Sequence, residues 1–543
     1  MKKIYKFICL LITGIFFLSC SNNNNNLALL MAIIANSPLQ ILSEQNIEAN
    51  KKYDLSNYAG HKAFLVVMNN NDYPKTVYKN KQTNIFEPVN YDYKFENENG
   101  VFFNIPFNAP KLDYKLIETS DFNFNRNIMK SETTLEIGAK KDFYGATEDN
   151  KTDENFAKDA ELKVIGNHCY VWYKAKDEIN ISDEKLKTLA KTFDSIYEKE
   201  TYIFGSNVPT RTFNNIINVN NNTKINIIVY DLFGDYEKTK ASKAGTLGYF
   251  WSIDFFNEDF ASDIKTNKCE CIHIDSYFLE VAEQAQRSTI AHEFQHMLHF
   301  VNKSLNFDKT SETWFNEMMS MTCEDIMQTQ LGLNDNEGPK SRLSTFNSTY
   351  PYGFTNWRDG DDVFISYANA YAFGAYLVRN YGIDFIKTLA QNQYVNKEAI
   401  TNALITIDAE EKSFDQAYAK FYNTVFNPKS NKYTLNKGVE STYTYAPDKT
   451  ATFNCTAINL SNYITISKYY ITDEYVDRFY QASKLNDYYG PIIYNKKLPT
   501  ELDSMGMVVT YLGTIGIDLD KNFKFTNYVE NTRNITYKLI ITF

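Results

Sequence analysis

Residues 290–301 read Ile-Ala-His-Glu-Phe-Gln-His-Met-Leu-His-Phe-Val. Wound as a helix, His292 and His296 stand four apart and project side by side. Ile290, Phe294, Leu298 and Val301 form a separate apolar stripe. Two imidazoles at this spacing can bind one Zn²⁺, and Glu293, adjacent to the first, can reach a water at the ion and act as general base. The chain has six histidines, and three of them fall between positions 292 and 299. That concentration separates the pair from two surface histidines on an ordinary amphipathic helix.

A metal of this kind needs a third protein ligand. His299 is seven residues beyond His292, roughly 10 Å further along the same helix, so one ion cannot meet all three histidines, and His299 reads as a packed or capping residue. The next helical segment, residues 312–325, reads Glu-Thr-Trp-Phe-Asn-Glu-Met-Met-Ser-Met-Thr-Cys-Glu-Asp. A polar loop, 302–311, would let this helix run back antiparallel and bring Glu317 over the histidines. Glu312 reads as a capping acid. Glu324 and Asp325 lie two turns on, as outer partners of the site or surface acids.

Taken together, His292-Glu293-x-x-His296 and Trp314-x-Asn316-Glu317-x-x-Ser320 resemble the gluzincin clan of zinc metallopeptidases. Within it, Ala-His-Glu-Phe-Gln-His-Met-Leu and Thr-Trp-Phe-Asn-Glu-Met-Met-Ser are similar to the hyicolysin-type family. The blocks 227–231 and 248–250 look like that family as well, and the resemblance covers about residues 165–425. It implies a zincin-like catalytic domain in which His292, His296 and Glu317 hold Zn²⁺ and Glu293 is the base. It further implies a Tyr that donates to the oxyanion, and Tyr371-Ala-Phe-Gly374 matches the Tyr-x-x-Gly pattern, with Tyr367 as a competitor. Two departures stand out. The position four after Glu317, an Asp in thermolysin-like enzymes, is Met321 here, so another residue must orient a zinc-bound histidine. The Gly-Ala-Met-Glu-Asn segment of the clan's aminopeptidases is absent, which favours an endopeptidase.

The elements that must position these residues follow from periodicity. Segments 162–165 and 169–173 read as paired strands. Ser182 caps a helix with Leu186, Leu189, Phe193 and Ile196 on one face. Residues 224–230 and 272–275 read as buried strands. Residues 245–256 read as a further strand, either a core hairpin or an edge that pairs with substrate backbone. Helices dominate 278–425. The fold class is α+β: a catalytic domain over 161–428 between a β-rich N-terminal domain (51–160, clearest at 63–68) and a C-terminal β domain (429–543, with strands at 463–466 and 537–541). The acidic run Asp359-Gly-Asp361-Asp362 reads as a solvated loop, with Ca²⁺ binding as the alternative.

The first nineteen residues have the form of a secretory signal: Lys2, Lys3 and Lys6, then the apolar stretch 7–18. It ends at Ser19-Cys20, which resembles a bacterial lipobox, so Cys20 is expected to carry lipid and to anchor an exported protein to a bacterial membrane, most simply the outer membrane or cell surface. A polar tether, 20–50, with its Asn run follows. Of seven cysteines, five remain beyond Cys9 and Cys20. An odd number makes a disulfide scaffold a poor reading, Cys269 and Cys271 flank a single residue, and Cys-x-x-Cys spacing is absent. A net charge of −10 argues against nucleic acid as partner. The expected partner is a protein or peptide substrate, and composition says nothing of oligomeric state. A surface adhesin that kept the fold without catalysis, and a hydrolase acting on non-peptide substrates, are the rival readings.

Overall fold

The structure, a computed structural model, describes residues 41–71, 135–234, 244–426, 434–463 and 501–542, apart from short stretches inside these ranges, together with a few isolated pieces between them. The signal, Cys20, residues 464–466 and the acidic residues Asp361 and Asp362 lie outside the described residues.

The central element is a six-stranded mixed sheet. Its strands are β1 (Lys140–Ala146), β2 (Thr152–Ile165), β3 (Cys169–Tyr173), β4 (Ile225–Tyr230), β5 (Gly248–Tyr249) and β6 (Cys271–Asp275), in the spatial order β5-β6-β4-β3-β2-β1. β3, β4 and β6 run parallel, while β5, β2 and β1 pair antiparallel at the two sides. Every residue of β4 is buried, as expected of a parallel strand covered on both faces. The period of two along the strands then sorts two cores. Ile225, Ile227, Val229, Ile272 and Ile274 face the helices, packing in one cluster with Phe193, Ile290 and Phe294. Ile228, Tyr230 and Cys271 belong to a second cluster on the other face, with Phe143, Leu162, Trp172, Tyr249 and Trp251.

Four helices matter for the site. In α1 (Asp183–Phe204), the Ser182 side chain accepts from the Lys185 amide, and Asp183 and Glu184 occupy the favourable end of the dipole. α2 (Glu283–His299) continues into a π-helical segment, Phe300–Leu305. α3 is Thr313–Ile326 and α4 is Val363–Gln391, with a break at Gly382, whose φ is +85°. α4 is apolar nearly all round and buried. Gly374 lets it close on α3, because a Cβ there would collide with Thr322 Oγ1 and press on Met318.

The short strand β5 lies at the edge of the sheet rather than inside a core hairpin, and it covers only part of the stretch 245–256. The remainder forms a 3₁₀ turn, Ser252–Phe255.

The two ends of the chain depart from the expected arrangement. Ile41–Asn46 and Lys62–Asn69 share one five-stranded sheet with Tyr494–Asn495, Met507–Thr514 and Ile535–Thr542. Two β regions expected to be separate are thus joined by strand pairing. The strands 140–146 and 152–165, assigned above mostly to an N-terminal domain, extend the central sheet. The hairpin of Val439–Ala446 and Lys449–Cys455 packs on the helices, where Arg379 donates to the Thr456 carbonyl and Lys449 pairs with Glu198. No helix among the described residues is long and apolar enough to cross a membrane.

Candidate metal centre

His292 and His296 leave α2 on one side, one turn apart, with ring centroids 4.6 Å from each other. α3 returns antiparallel and lays Glu317 across them. Glu317 Oε2 is 3.1 Å from His292 Nε2 and 3.5 Å from His296 Nε2. The three donor atoms all lie within 4.8 Å of one another. All three side chains are largely buried, His296 at 11% and Glu317 at 9% exposure, so the cluster touches solvent only at its edge.

The outer nitrogens are also held. His292 Nδ1 is 2.7 Å from Glu324 Oε1, and the other oxygen of Glu324 accepts from Ser288 Oγ. His296 Nδ1 lies 2.9 Å from Ser320 Oγ and 3.1 Å from Asn316 Oδ1. A carboxylate at Nδ1 fixes the imidazole proton there and turns the Nε2 lone pair toward Glu317, the arrangement that metal-binding histidines need. Glu324 therefore fills the orienting place that Met321 leaves open. It stands seven residues after Glu317, on the same helix face two turns on, a spacing visible in the sequence.

The electrostatics describe a site that draws positive charge. Burial opposes a proton on His292, yet Glu317 and Glu324 outweigh it and push its pKa up to about 10. Burial likewise opposes ionisation of Glu317, but His296 and His292 hold it well below the usual carboxylate range. A dication in place of that proton satisfies the same carboxylate without crowding a charge on either imidazole. Glu293 is buried beside them, with one carboxylate oxygen accepting from the Phe250 amide at 2.8 Å, just past the edge strand β5. Burial raises its pKa, against the pull of His292 and His296.

Not every sequence candidate comes to this cluster. Tyr371 is buried on α4, but its hydroxyl donates to Asp325 Oδ2 at 3.2 Å. Asp325 is also clamped by two nitrogens of Arg379, in a pair with no exposed surface. Tyr367, one turn earlier, is the tyrosine at the site. Its hydroxyl is buried without a hydrogen bond of ordinary geometry. Burial first, then the charge of Glu317 and its hydrogen bonding with the hydroxyl, and more weakly Glu293, push its pKa well up, while the Arg342 guanidinium 4.8 Å over its ring opposes them. His299 is not a ligand: its Nε2 meets Ser311 Oγ at 2.6 Å. Glu312 precedes α3, where it accepts from the Trp314 indole. Sequence reasoning had no means to see the Phe250 amide, since backbone donors carry no residue signature.

The sequence profile described as peptidase M30 matches residues 165–470. Similar to this chain is the neutral metalloprotease ShpI of Staphylococcus hyicus, 26% identical over 362 residues that cover 63% of this chain and 75% of that protein.

Proposed function

This chain belongs to the peptidase M30 family, the hyicolysin-type family that the two helix motifs resemble, and from that premise we propose that it is a zinc endopeptidase with its centre at His292, His296 and Glu317. The observation that carries the reading is the convergence of three donors whose outer partners leave their lone pairs aimed at one point. Two imidazoles and a carboxylate fit Zn²⁺ in number and type, leaving a position for water and substrate.

Bound there, zinc supplies Lewis acidity, lowering the pKa of a water and polarising the scissile carbonyl. Glu293 takes the proton from the attacking water as its oxygen adds to the carbonyl carbon, and then delivers that proton to the departing amine nitrogen. Its burial and the Phe250 amide hold the carboxylate in place for both transfers. Tyr367 donates to the carbonyl oxygen as charge grows on it. Its hydroxyl lies beside Glu317, a place from which a tyrosine can donate to a carbonyl held at the same centre. The edge strand β5, next to the Phe250 amide that holds Glu293, offers main-chain pairing to an extended peptide. The signal-like first nineteen residues and Cys20 support an activity outside the cell, held to a bacterial membrane through lipid at Cys20.

The test is zinc content of the purified full chain together with casein hydrolysis with and without a chelator. Zinc at the helical site and chelator-sensitive cleavage support the proposal. A chain whose zinc content is unchanged by Glu317→Ala overturns the ligand assignment. Cleavage that survives full metal removal overturns the mechanism.

A further inference from the structure

The sheet carries a second set of metal-type donors, on the face away from α2 and α3. Ile272 and Ile274 of β6 point toward the helices, so Cys271 and His273, which alternate with them, point the other way. Cys269 lies two residues before Cys271, and its Sγ is 3.0 Å from that of Cys271. Asp254, from the 3₁₀ turn that follows β5, brings Oδ2 to 3.0 Å from His273 Nε2. Donor atoms of Asp254, Cys271 and His273 all lie within 4.8 Å of one another, and all three residues are buried.

We propose that Asp254, Cys269, Cys271 and His273 form a second, structural site for a thiophilic divalent cation, Zn²⁺. Asp254, Cys271 and His273 offer three donors of the types zinc prefers, all within 4.8 Å of one another, and Cys269 Sγ, 3.0 Å from Cys271 Sγ, adds a second thiolate beside them. The outer contacts are those of a ligand set. His273 Nδ1 meets the Tyr230 hydroxyl at 3.2 Å, and its ring stacks on Tyr249 at 4.3 Å. The second oxygen of Asp254 accepts from the Asn267 amide, and the Asp254 carbonyl accepts from the Cys269 amide. The orientation of His273 and Asp254 is thus set from behind, leaving Nε2 and Oδ2 facing each other. Charge also balances: a carboxylate and two thiolates are neutralised by a dication and by Lys141, whose Nζ is 3.6 Å from Cys269 Sγ. Binding releases the two thiol protons. Cys269, half-buried where the others are fully buried, gives the ion its way in. Such an ion ties the turn carrying Asp254 to β6, four residues after Phe250, whose amide holds Glu293.

Cys-x-x-Cys is the spacing of a thiolate turn, and it is absent here. A strand achieves convergence with period two instead, through Cys271 and His273, with Cys269 in the bend before it and Asp254 from a separate segment.

The helical centre has no thiolate, so cobalt distinguishes the two sites. Full-length chain stripped of metal and loaded with Co²⁺ is expected to show thiolate-to-cobalt charge-transfer absorption and, with zinc, two ions per chain. Cys271→Ser should remove that absorption and one ion. His296→Ala should remove one ion and leave the absorption intact; absorption with a single ion that His296→Ala leaves unchanged supports the strand site while counting against the helical one. A wild-type chain without the charge-transfer band overturns the proposal. So does a pair of thiols that appears only after reduction of the denatured wild-type chain and is lost in Cys271→Ser, since a Cys269–Cys271 disulfide excludes the ion.

Discussion

The two donor clusters lie on opposite faces of one sheet and are aimed by different periodicities. In the helical cluster, two histidines at i and i+4 and a Glu from a returning helix converge with Glu293 beside them. In the strand cluster, Cys271 and His273 at i and i+2 converge with Asp254, all three are buried, and around them stand the Cys269 thiol, the Tyr230 hydroxyl, the Tyr249 ring and the Asn267 amide. On the proposed reading the first has a general base beside its donors, and the second serves structure alone. Donor type alone does not make a centre catalytic. A proton carrier beside the donors does.

The sharpest way to break this comparison is Glu293→Gln. It should reduce kcat/KM by about 10²–10⁴-fold while metal content at both clusters stays as in the wild type, read by peptide hydrolysis alongside metal analysis. Tyr367→Phe should lower kcat by about 10²–10³-fold with KM little changed; an equal loss in Tyr371→Phe instead would return the oxyanion role to Tyr371. Glu324→Gln should weaken zinc at the helical cluster by about 10–100-fold and leave the strand cluster untouched, as competition with a chromophoric chelator would show. Zinc binding at the helical cluster should also depend on pH. With the His292 pKa pushed up to about 10, zinc must displace a proton from it at any lower pH, so apparent affinity should rise about tenfold per pH unit between pH 6 and 9. The smallest effect is expected of Tyr371→Phe: a loss of about 1 kcal/mol of stability from the hydrogen bond to Asp325, with kcat unchanged, measured by denaturant unfolding and steady-state kinetics.

What could be read in advance followed the range of the interaction. His292, Glu293, His296 and Glu317 are encoded by helical spacing and a short loop, and the helix from Ser182 by its cap and apolar stripe. Tyr367 and Tyr371 lie one turn apart on the same face of α4, so spacing favours neither. The choice is made by Arg379 and Asp325, a buried ion pair that occupies the Tyr371 hydroxyl, and nothing near residue 371 announces it. Gly374, taken as part of a catalytic pattern, serves to let α4 approach Thr322 and Met318. The strand cluster depends on Asp254, whose segment touches β6 only after the sheet forms. The shared terminal sheet was illegible for the same reason, because alternating strands say which face is buried but not which strand is the neighbour.

That terminal sheet has a consequence for the order in which the molecule can be made. Ile535–Thr542 sits between Ile41–Asn46 and Lys62–Asn69, and Asn70 bonds Thr536 across 466 positions. During synthesis Ile41–Asn46 and Lys62–Asn69 emerge long before Ile535–Thr542, the strand that lies between them. Closing so long a loop is entropically costly and slow, whereas the central sheet and its helices draw on partners closer in sequence. The central sheet and its helices can therefore form first, and Ile535–Thr542 acts as a latch that closes the terminal sheet once that strand has been made.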